Sequence, residues 1–435
     1  MNGVTHSVGT GSQALLTDHY ELTMLRAALR DGAGDRRATF EVFARRLPDG
    51  RRYGVVAGTA RLLDLLAQFR FTEAALTYLV ERGIADDATC AWLADYTFTG
   101  DITGYGEGEL YFPGSPVLTV EGSFAEVVVL ETLVLSVLNH DCAIASAAAR
   151  MAVAAGGRAL IEMGSRRTHE EAAVAAARAA YLAGFSTTSN LAAGYRHGIP
   201  TSGTAAHAYT LLHDTEASAF RGQVDALGLG TTLLVDTYDI TAGIRAAVEV
   251  AGPGLGAIRI DSGDLAVHAF QAREQLDSLG ATRTRIILSG DLDEFALAAL
   301  AGAPVDAYGV GTSVVTGSGA PTAEFVYKLV EVDGRPVAKR SEHKATRGGR
   351  KYAVRRHRSS GTATEEVVRV SVPPEPQPGD RALQVAMVTK GERVPGPTLD
   401  ESREHLRSVL KTLPWEGLAL SHGEPAIPTR YVEAR

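Results

Sequence analysis

With 435 residues, 45% of them apolar, the chain is long enough for two packed domains and too long for one typical compact domain. A formal net charge of −8 excludes a general nucleic-acid binder, whose affinity depends on a basic surface. The two cysteines, Cys90 and Cys142, are too isolated for a disulfide framework or a cysteine-based zinc site, which fits a reducing cytoplasm.

The first residues, Met-Asn-Gly-Val-Thr-His, lack the basic start and apolar core of a signal peptide, so no export is expected. Residues 17–30 read as a helix, 39–43 as a strand and 58–69 as an amphipathic helix. Short strands dominate from 98 to 120, punctuated by Gly104, Gly106, Gly108 and Pro113-Gly114. This is the pattern of a separate α+β layer. Residues 126–155 form a helical stretch rich in alanine and leucine. Its most apolar part, 127–138, is interrupted by Glu131 and falls short of the roughly 20 residues a membrane span requires, so no membrane role is expected.

The domain transition is placed in that helix. Residues 1–135 are expected to begin an α+β sandwich, 136–335 to form an irregular parallel α/β barrel holding the active site, and 336–435 to return to the sandwich. In the barrel region, apolar strand-like runs end in carboxylates or glycines: Asp236 and Asp239, then Asp261 and Asp264 after Arg259, then Gly290 and Asp291, then Gly309 and Gly311 before Thr312. Each run is followed by a helix-like segment. Strands buried on both faces hold charge only where they emerge into loops, so these residues should share one rim. Beyond the turn at 332–335 the pattern becomes short basic strands, then a proline-rich connector at 373–379, then a helix over 402–413.

Three strand-end acids, Asp236, Asp261 and Asp291, suit a hard cation carried on phosphate oxygens, or the vicinal hydroxyls of a sugar, which points to magnesium and a ribosyl group. The plain alternative is that such aspartates cap the following helices, as the acids at 291–294 would cap 295–300. The glycines around Gly311 suit backbone N–H contacts to phosphate, or a tight turn that needs positive φ. Arg166 and Arg167 offer bidentate contacts to an anion, unless Glu170 and Glu171 balance them. His207, just past another strand end, can exchange a proton or accept a phosphoryl group. Lys328, Lys339, Lys344 and the run 347–358 are the one basic concentration, read either as a protected edge strand or as a polyphosphate contact.

Taken in order, these pieces resemble one family. Thr-Asp-His-Tyr at 17–20, Met-Gly-Ser-Arg-Arg at 163–167, Ser-Thr-Thr-Ser-Asn at 186–190, Gly-Thr-Ala-Ala-His at 203–207, Val-Asp-Thr-Tyr-Asp at 235–239, Ile-Arg-Ile-Asp-Ser-Gly at 258–263, Ser-Gly-Asp at 289–291 and Gly-Val-Gly-Thr at 309–312 are similar to the nicotinate phosphoribosyltransferases. The resemblance implies a type II phosphoribosyltransferase fold and a homodimer with shared active sites. It also implies the reaction of nicotinate with phosphoribosyl pyrophosphate, coupled to ATP hydrolysis, in the presence of Mg2+. By position, Tyr20 would stack on the pyridine from the partner subunit, and Arg166 and Ser189 would contact substrate. His207 would carry the phosphoryl group from ATP. Asp236, Arg259, Asp261, Gly290 and Asp291 would hold ribose and pyrophosphate, with Asp261 and Asp291 reaching magnesium indirectly. Gly311 and Thr312 would take the 5′-phosphate. The family commonly has an aromatic residue where this chain has Met163, so a thioether would face the ring there. Neutral groups at 188–190 favour nicotinate over nicotinamide, whose amide a carboxylate there would accept. Quinolinate as substrate, or a non-catalytic nucleotide- or pyrophosphate-binding barrel, are the other readings.

Overall fold

A computed structural model describes residues 13–339, 347–373, 375 and 377–432. The chain divides into two compact units, one ending at Cys142 and resuming at Thr322, the other comprising Ala143–Pro321.

In the first unit the helix His19–Asp31 buries Leu22, Leu25 and Ala28 at helical spacing and stops at Gly32, whose φ of 80° suits a left-handed C-terminal residue. The strand Arg37–Ala44 is nearly all buried and sits inside a seven-stranded antiparallel sheet. It pairs on one side with Leu118–Ser123 and on the other with Phe325–Val332, Ala38 opposite Val332 and Val42 opposite Tyr327. Farther along the sheet, Asp101–Tyr105 pairs with Gln384–Thr389. Segments far apart in the chain therefore share each half of this sheet, as expected of a layer built from both ends. The pairing of Phe325–Val332 with Arg37–Ala44 moves residues 322–335 out of the barrel segment to which sequence assigned them. The pairing partner lies far earlier in the chain, and a local pattern cannot reveal it.

The basic run also departs from expectation. Lys351–His357 is an interior strand of a four-stranded sheet, lying between Asp380–Ala382 and Ala363–Val370, so edge protection does not explain it. Lys351 pairs with Glu41 at 3.0 Å. Arg355, 0% exposed, donates to Glu109, to Glu366 at 2.8 Å and to the Leu110 carbonyl at 2.8 Å. Glu109 also receives Arg381 at 2.6 Å and His405 at 3.0 Å, and the Tyr105 hydroxyl donates to Glu366 at 2.7 Å. Lys351, Arg355, Arg381 and His405 thus reach carboxylates from the other end of the chain, Glu41 and Glu109, while Arg355 also holds the nearby Glu366. Lys344 and residues 374 and 376 of the expected connector lie outside the described residues.

The helical stretch is the pair Phe124–Val128 and Glu131–Ala154, opened by a Ser123/Glu126 capping box. The run Phe124–Ala154 is long and apolar enough to cross a bilayer, in contrast to the shorter segment expected, but 67% of its most apolar window is buried inside the protein. That is how a core helix is placed.

The second unit is mixed α/β. Its six strands are all parallel, in the order Thr187–Thr188, Ala159–Glu162, Ala307–Val310, Arg285–Leu288, Ala257–Ile260, Thr232–Leu234. They form a curled sheet, a partial barrel, with helices following the strands. One face is packed by Ile161, Ala257, Ile287 and Ala307, with Met163 against them.

Replacing Arg355 by alanine would leave Glu109 and Glu366 buried without their shared cation, and urea unfolding should show a loss of about 3–5 kcal/mol.

Candidate functional site

Each strand-end aspartate has a companion two or three residues on, and the two do different work. Asp239 accepts the Ala242 N–H at 2.7 Å, Asp264 the Val267 N–H at 3.2 Å, and Asp293 the N–H groups of Phe295 and Ala296 at 2.9 and 2.8 Å. These three cap helices. Asp236, Asp261 and Asp291 do not, so the capping alternative applies to their neighbours.

Asp236 follows the strand Thr232–Leu234 and is buried. Its Oδ2 accepts the Asp261 N–H at 2.8 Å and the Ser262 hydroxyl at 2.7 Å. Its Oδ1 is buried with no hydrogen-bond partner and lies 3.9 Å from His207 Nε2. On the far side of the ring, His207 Nδ1 is 3.1 Å from the Thr237 hydroxyl. A buried acceptor oxygen without a donor is costly, and the His207 ring faces it.

Arg259 is on the strand Ala257–Ile260, and Asp261 is the first residue past its end. The Arg259 guanidinium donates to Asp261 Oδ1 at 2.6 Å, to Ser289 Oγ at 2.7 Å and to Thr204 Oγ1 at 2.8 Å. The Ser289 hydroxyl in turn donates to Asp261. Burial pushes the Asp261 carboxyl up, but Ser289, Arg259 and the positive field of His207 together outweigh it and hold it below the usual carboxylate range.

Gly290 has φ 116°, and a Cβ there would lie 2.4 Å from the Asp261 carbonyl oxygen. Asp291, next in the chain, is exposed and sits at φ 48°, a left-handed conformation unusual for a residue with a side chain. Backbone strain of this kind gathers at functional loops. Gly309 and Gly311 are not among the positive-φ residues, so the tight-turn alternative fails for them. Gly309 is needed for space, since a Cβ would lie 2.7 Å from Met163 Sδ. Gly311 precedes the short helix Thr312–Val315.

Arg166 and Arg167 lie exposed on the 3-10 turn Ser165–Arg167. Of the two neighbouring acids, Glu171 holds Arg196 at 2.6 Å, and Glu170 is exposed and lies 3.7 Å from His169. Ser189 is exposed, and its N–H donates to the Glu162 carbonyl at 2.8 Å. Below both turns Glu162, 1% exposed, accepts from the Gly164 N–H and from the Thr188 hydroxyl. Burial pushes its carboxyl up, against those two hydrogen bonds. Tyr20 belongs to the other unit, on the helix His19–Asp31, with its ring 45% exposed and its hydroxyl hydrogen-bonded to Glu131.

His207, Asp236, Arg259 and Asp261 are therefore brought together as sequence anticipated, with direct contacts among them. Ser289, Thr204 and Thr237 complete this cluster, and Glu162 supports the turns at Arg166 and Ser189; sequence reading does not single them out. A hydroxyl just past a strand end is the signal that could have found Ser289, after Arg285–Leu288, and Thr237, beside Asp236; Thr204 carries no such signal.

The chain can be set beside known proteins. A family model described as the nicotinate phosphoribosyltransferase (NAPRTase) N-terminal domain matches residues 15–139. Nicotinate phosphoribosyltransferase pncB1 of Mycobacterium tuberculosis is 64% identical over 429 residues, covering 97% of this chain and 95% of its own. A nicotinate phosphoribosyltransferase of Bacillus subtilis is 38% identical over 360 residues, covering 79% and 73%. The crystal structure of human nicotinic acid phosphoribosyltransferase superposes with a TM-score of 0.83 at 27% identity, over 96% of this chain and 97% of that one.

The depressed Asp261 carboxyl stabilises the fold above its unfolded value and loses that contribution as pH falls through its lower folded value. Asp261→Asn should therefore melt below the parent protein at pH 7, and the gap should close as pH is lowered below about 4 in a differential scanning series.

Proposed function

Since the chain belongs to the nicotinate phosphoribosyltransferase family, forming nicotinate mononucleotide and pyrophosphate from nicotinate and phosphoribosyl pyrophosphate, we propose that the strand-end cluster around Asp236, Arg259, Asp261 and His207 is where this happens. The observation that carries the assignment is that Asp236, Arg259 and Asp261 bond to one another at the ends of two adjacent parallel strands, with His207, at the start of the helix His207–Leu211, 3.9 Å from Asp236.

Displacing pyrophosphate builds positive character on the anomeric carbon and negative charge on the leaving group. Fixed charges aimed at those positions do the catalytic work, and no protein nucleophile is required. Asp261 and Asp291 face the ribose and pyrophosphate. Arg259, already held by Asp261, Ser289 and Thr204, presents a guanidinium whose direction is set before substrate arrives. Gly290 lets the backbone pass close to Asp261, and Gly311 with Thr312 receives the 5′-phosphate. Arg166 and Ser189 hold the pyridine carboxylate, with the Met163 thioether beside the ring. Tyr20, with its exposed ring, is assigned to stacking on the pyridine of the partner subunit in a homodimer.

Among the described residues no group of three or more His, Cys, Asp or Glu side chains gathers as a ready-made metal cage. That suits Mg2+ held mainly by substrate phosphate oxygens, with Asp261 and Asp291 contributing through water or pyrophosphate. When bound, the cation would neutralise charge on the departing pyrophosphate.

ATP coupling is assigned to His207. Its Nε2 faces the unpartnered Asp236 Oδ1 and its Nδ1 faces Thr237, so the ring is oriented from both sides. A phosphoryl group on this ring would sit beside the pyrophosphate-gripping loops. Two free cysteines accord with a cytoplasmic setting.

Purified protein with nicotinate, phosphoribosyl pyrophosphate and magnesium should give nicotinate mononucleotide by mass spectrometry, with more formed when ATP is present. Nicotinamide and quinolinate should be poor substrates. His207→Ala should abolish ATP turnover and phosphate incorporation, and persistence of both would remove His207 from the coupling role.

A further inference from the structure

We propose that Glu162 is a positioning residue for pyridine recognition: one buried carboxylate ties together the two loops that hold the nicotinate carboxylate, and so sets the preference for acid over amide. The inference rests on the assignment of Arg166 and Ser189 to that carboxylate.

Glu162 ends the strand Ala159–Glu162, between the neighbouring strands Ala307–Val310 and Thr187–Thr188. Oε1 accepts the Gly164 N–H at the start of the turn Ser165–Arg167, which carries Arg166. Oε2 accepts the Thr188 hydroxyl, whose oxygen accepts the Asn190 N–H at 2.9 Å. The Glu162 carbonyl accepts the Ser189 N–H between them. A last link closes the loop pair, the Asn190 side-chain amide donating to Ser165 Oγ at 3.0 Å. The separation between Arg166 and Ser189 is thus referred to one residue beneath both.

The packing leaves no slack. A Cβ on Gly164 would lie 2.1 Å from Val315 Cγ1 and 2.9 Å from Glu162 Oε1, so the turn sits against the carboxylate because residue 164 has no side chain. A buried carboxylate is costly unless its oxygens are satisfied, and here each oxygen has a donor from a different loop. Nicotinate differs from nicotinamide in wanting donors at both carboxylate oxygens, so it depends on the spacing of the donors as well as on their presence.

Steady-state kinetics of the parent, Glu162→Gln, Thr188→Val, Thr188→Ser and Arg166→Ala test this. Glu162→Gln puts an amide where one of the two donors must lose its acceptor, and Thr188→Val removes the other arm while keeping side-chain shape. Both should raise KM for nicotinate about tenfold or more, leave KM for phosphoribosyl pyrophosphate within about twofold, and narrow the nicotinate-to-nicotinamide ratio of kcat/KM. Thr188→Ser, which keeps the hydroxyl, should restore parental values. If Glu162→Gln does not fold, the Thr188 pair decides alone. Equal rises in both KM values, or a lowered melting temperature with unchanged nicotinate KM, would overturn the positioning role. An Arg166→Ala variant with parental nicotinate KM would overturn the pyridine placement itself and the inference with it. A large effect at Arg166 with none at Glu162 or Thr188 would overturn only the inference.

Discussion

Charge survives in a parallel sheet covered on its faces only where a strand runs out into a loop, and the site depends on that constraint. In the unit Ala143–Pro321 the polar groups at adjacent strand ends bond to one another before any ligand arrives. Asp236 receives the Asp261 N–H, Asp261 holds Arg259, and Arg259 reaches Ser289 and Thr204. Asp236 Oδ1, buried and without a hydrogen-bond donor, faces His207. Four neighbouring chain segments are thereby joined through side chains whose direction is already set. A phosphoribosyl transfer, which asks the protein to place charge accurately around a loose transition state, gains most from groups that do not have to reorganise.

Much of this was legible from the order of residues. Alternation of apolar runs with acids and glycines marks parallel strands and their functional ends, so the sequence alone assigns Asp236, Asp261 and His207 to one rim. The pairing of each strand-end acid with a later capping aspartate was not separable by eye, because both are aspartates in the same loop and only geometry distinguishes a capped N–H from an open carboxylate. Ser289, Thr204 and Thr237 escaped notice because a hydroxyl carries no charge and occurs in any loop. Glu162 escaped because a single glutamate at the end of an apolar run looks like a solvated residue, whereas it is buried and doubly hydrogen-bonded.

In the other unit the limits of sequence reasoning are those of distance along the chain. Phe325–Val332 has a good strand pattern, but nothing local says that its partner is Arg37–Ala44. The basic strand Lys351–His357 reads as surface because its acids, Glu41 and Glu109, lie hundreds of residues earlier. Those ion pairs give the arrangement its specificity: a cation from the second half of the chain meets a carboxylate from the first, and either alone would be stranded in the core. The fold of this unit therefore depends on both ends of the chain being present.

Calorimetric titration of phosphoribosyl pyrophosphate with magnesium into the parent protein, Arg259→Met and Asp261→Asn addresses the assembled strand-end site most directly. Saturable binding to the parent, weakened about tenfold or more in each variant while both keep the parental far-ultraviolet circular dichroism, is the result the geometry requires. Undiminished affinity in both variants would mean that the sugar pyrophosphate binds somewhere other than the ends of these strands.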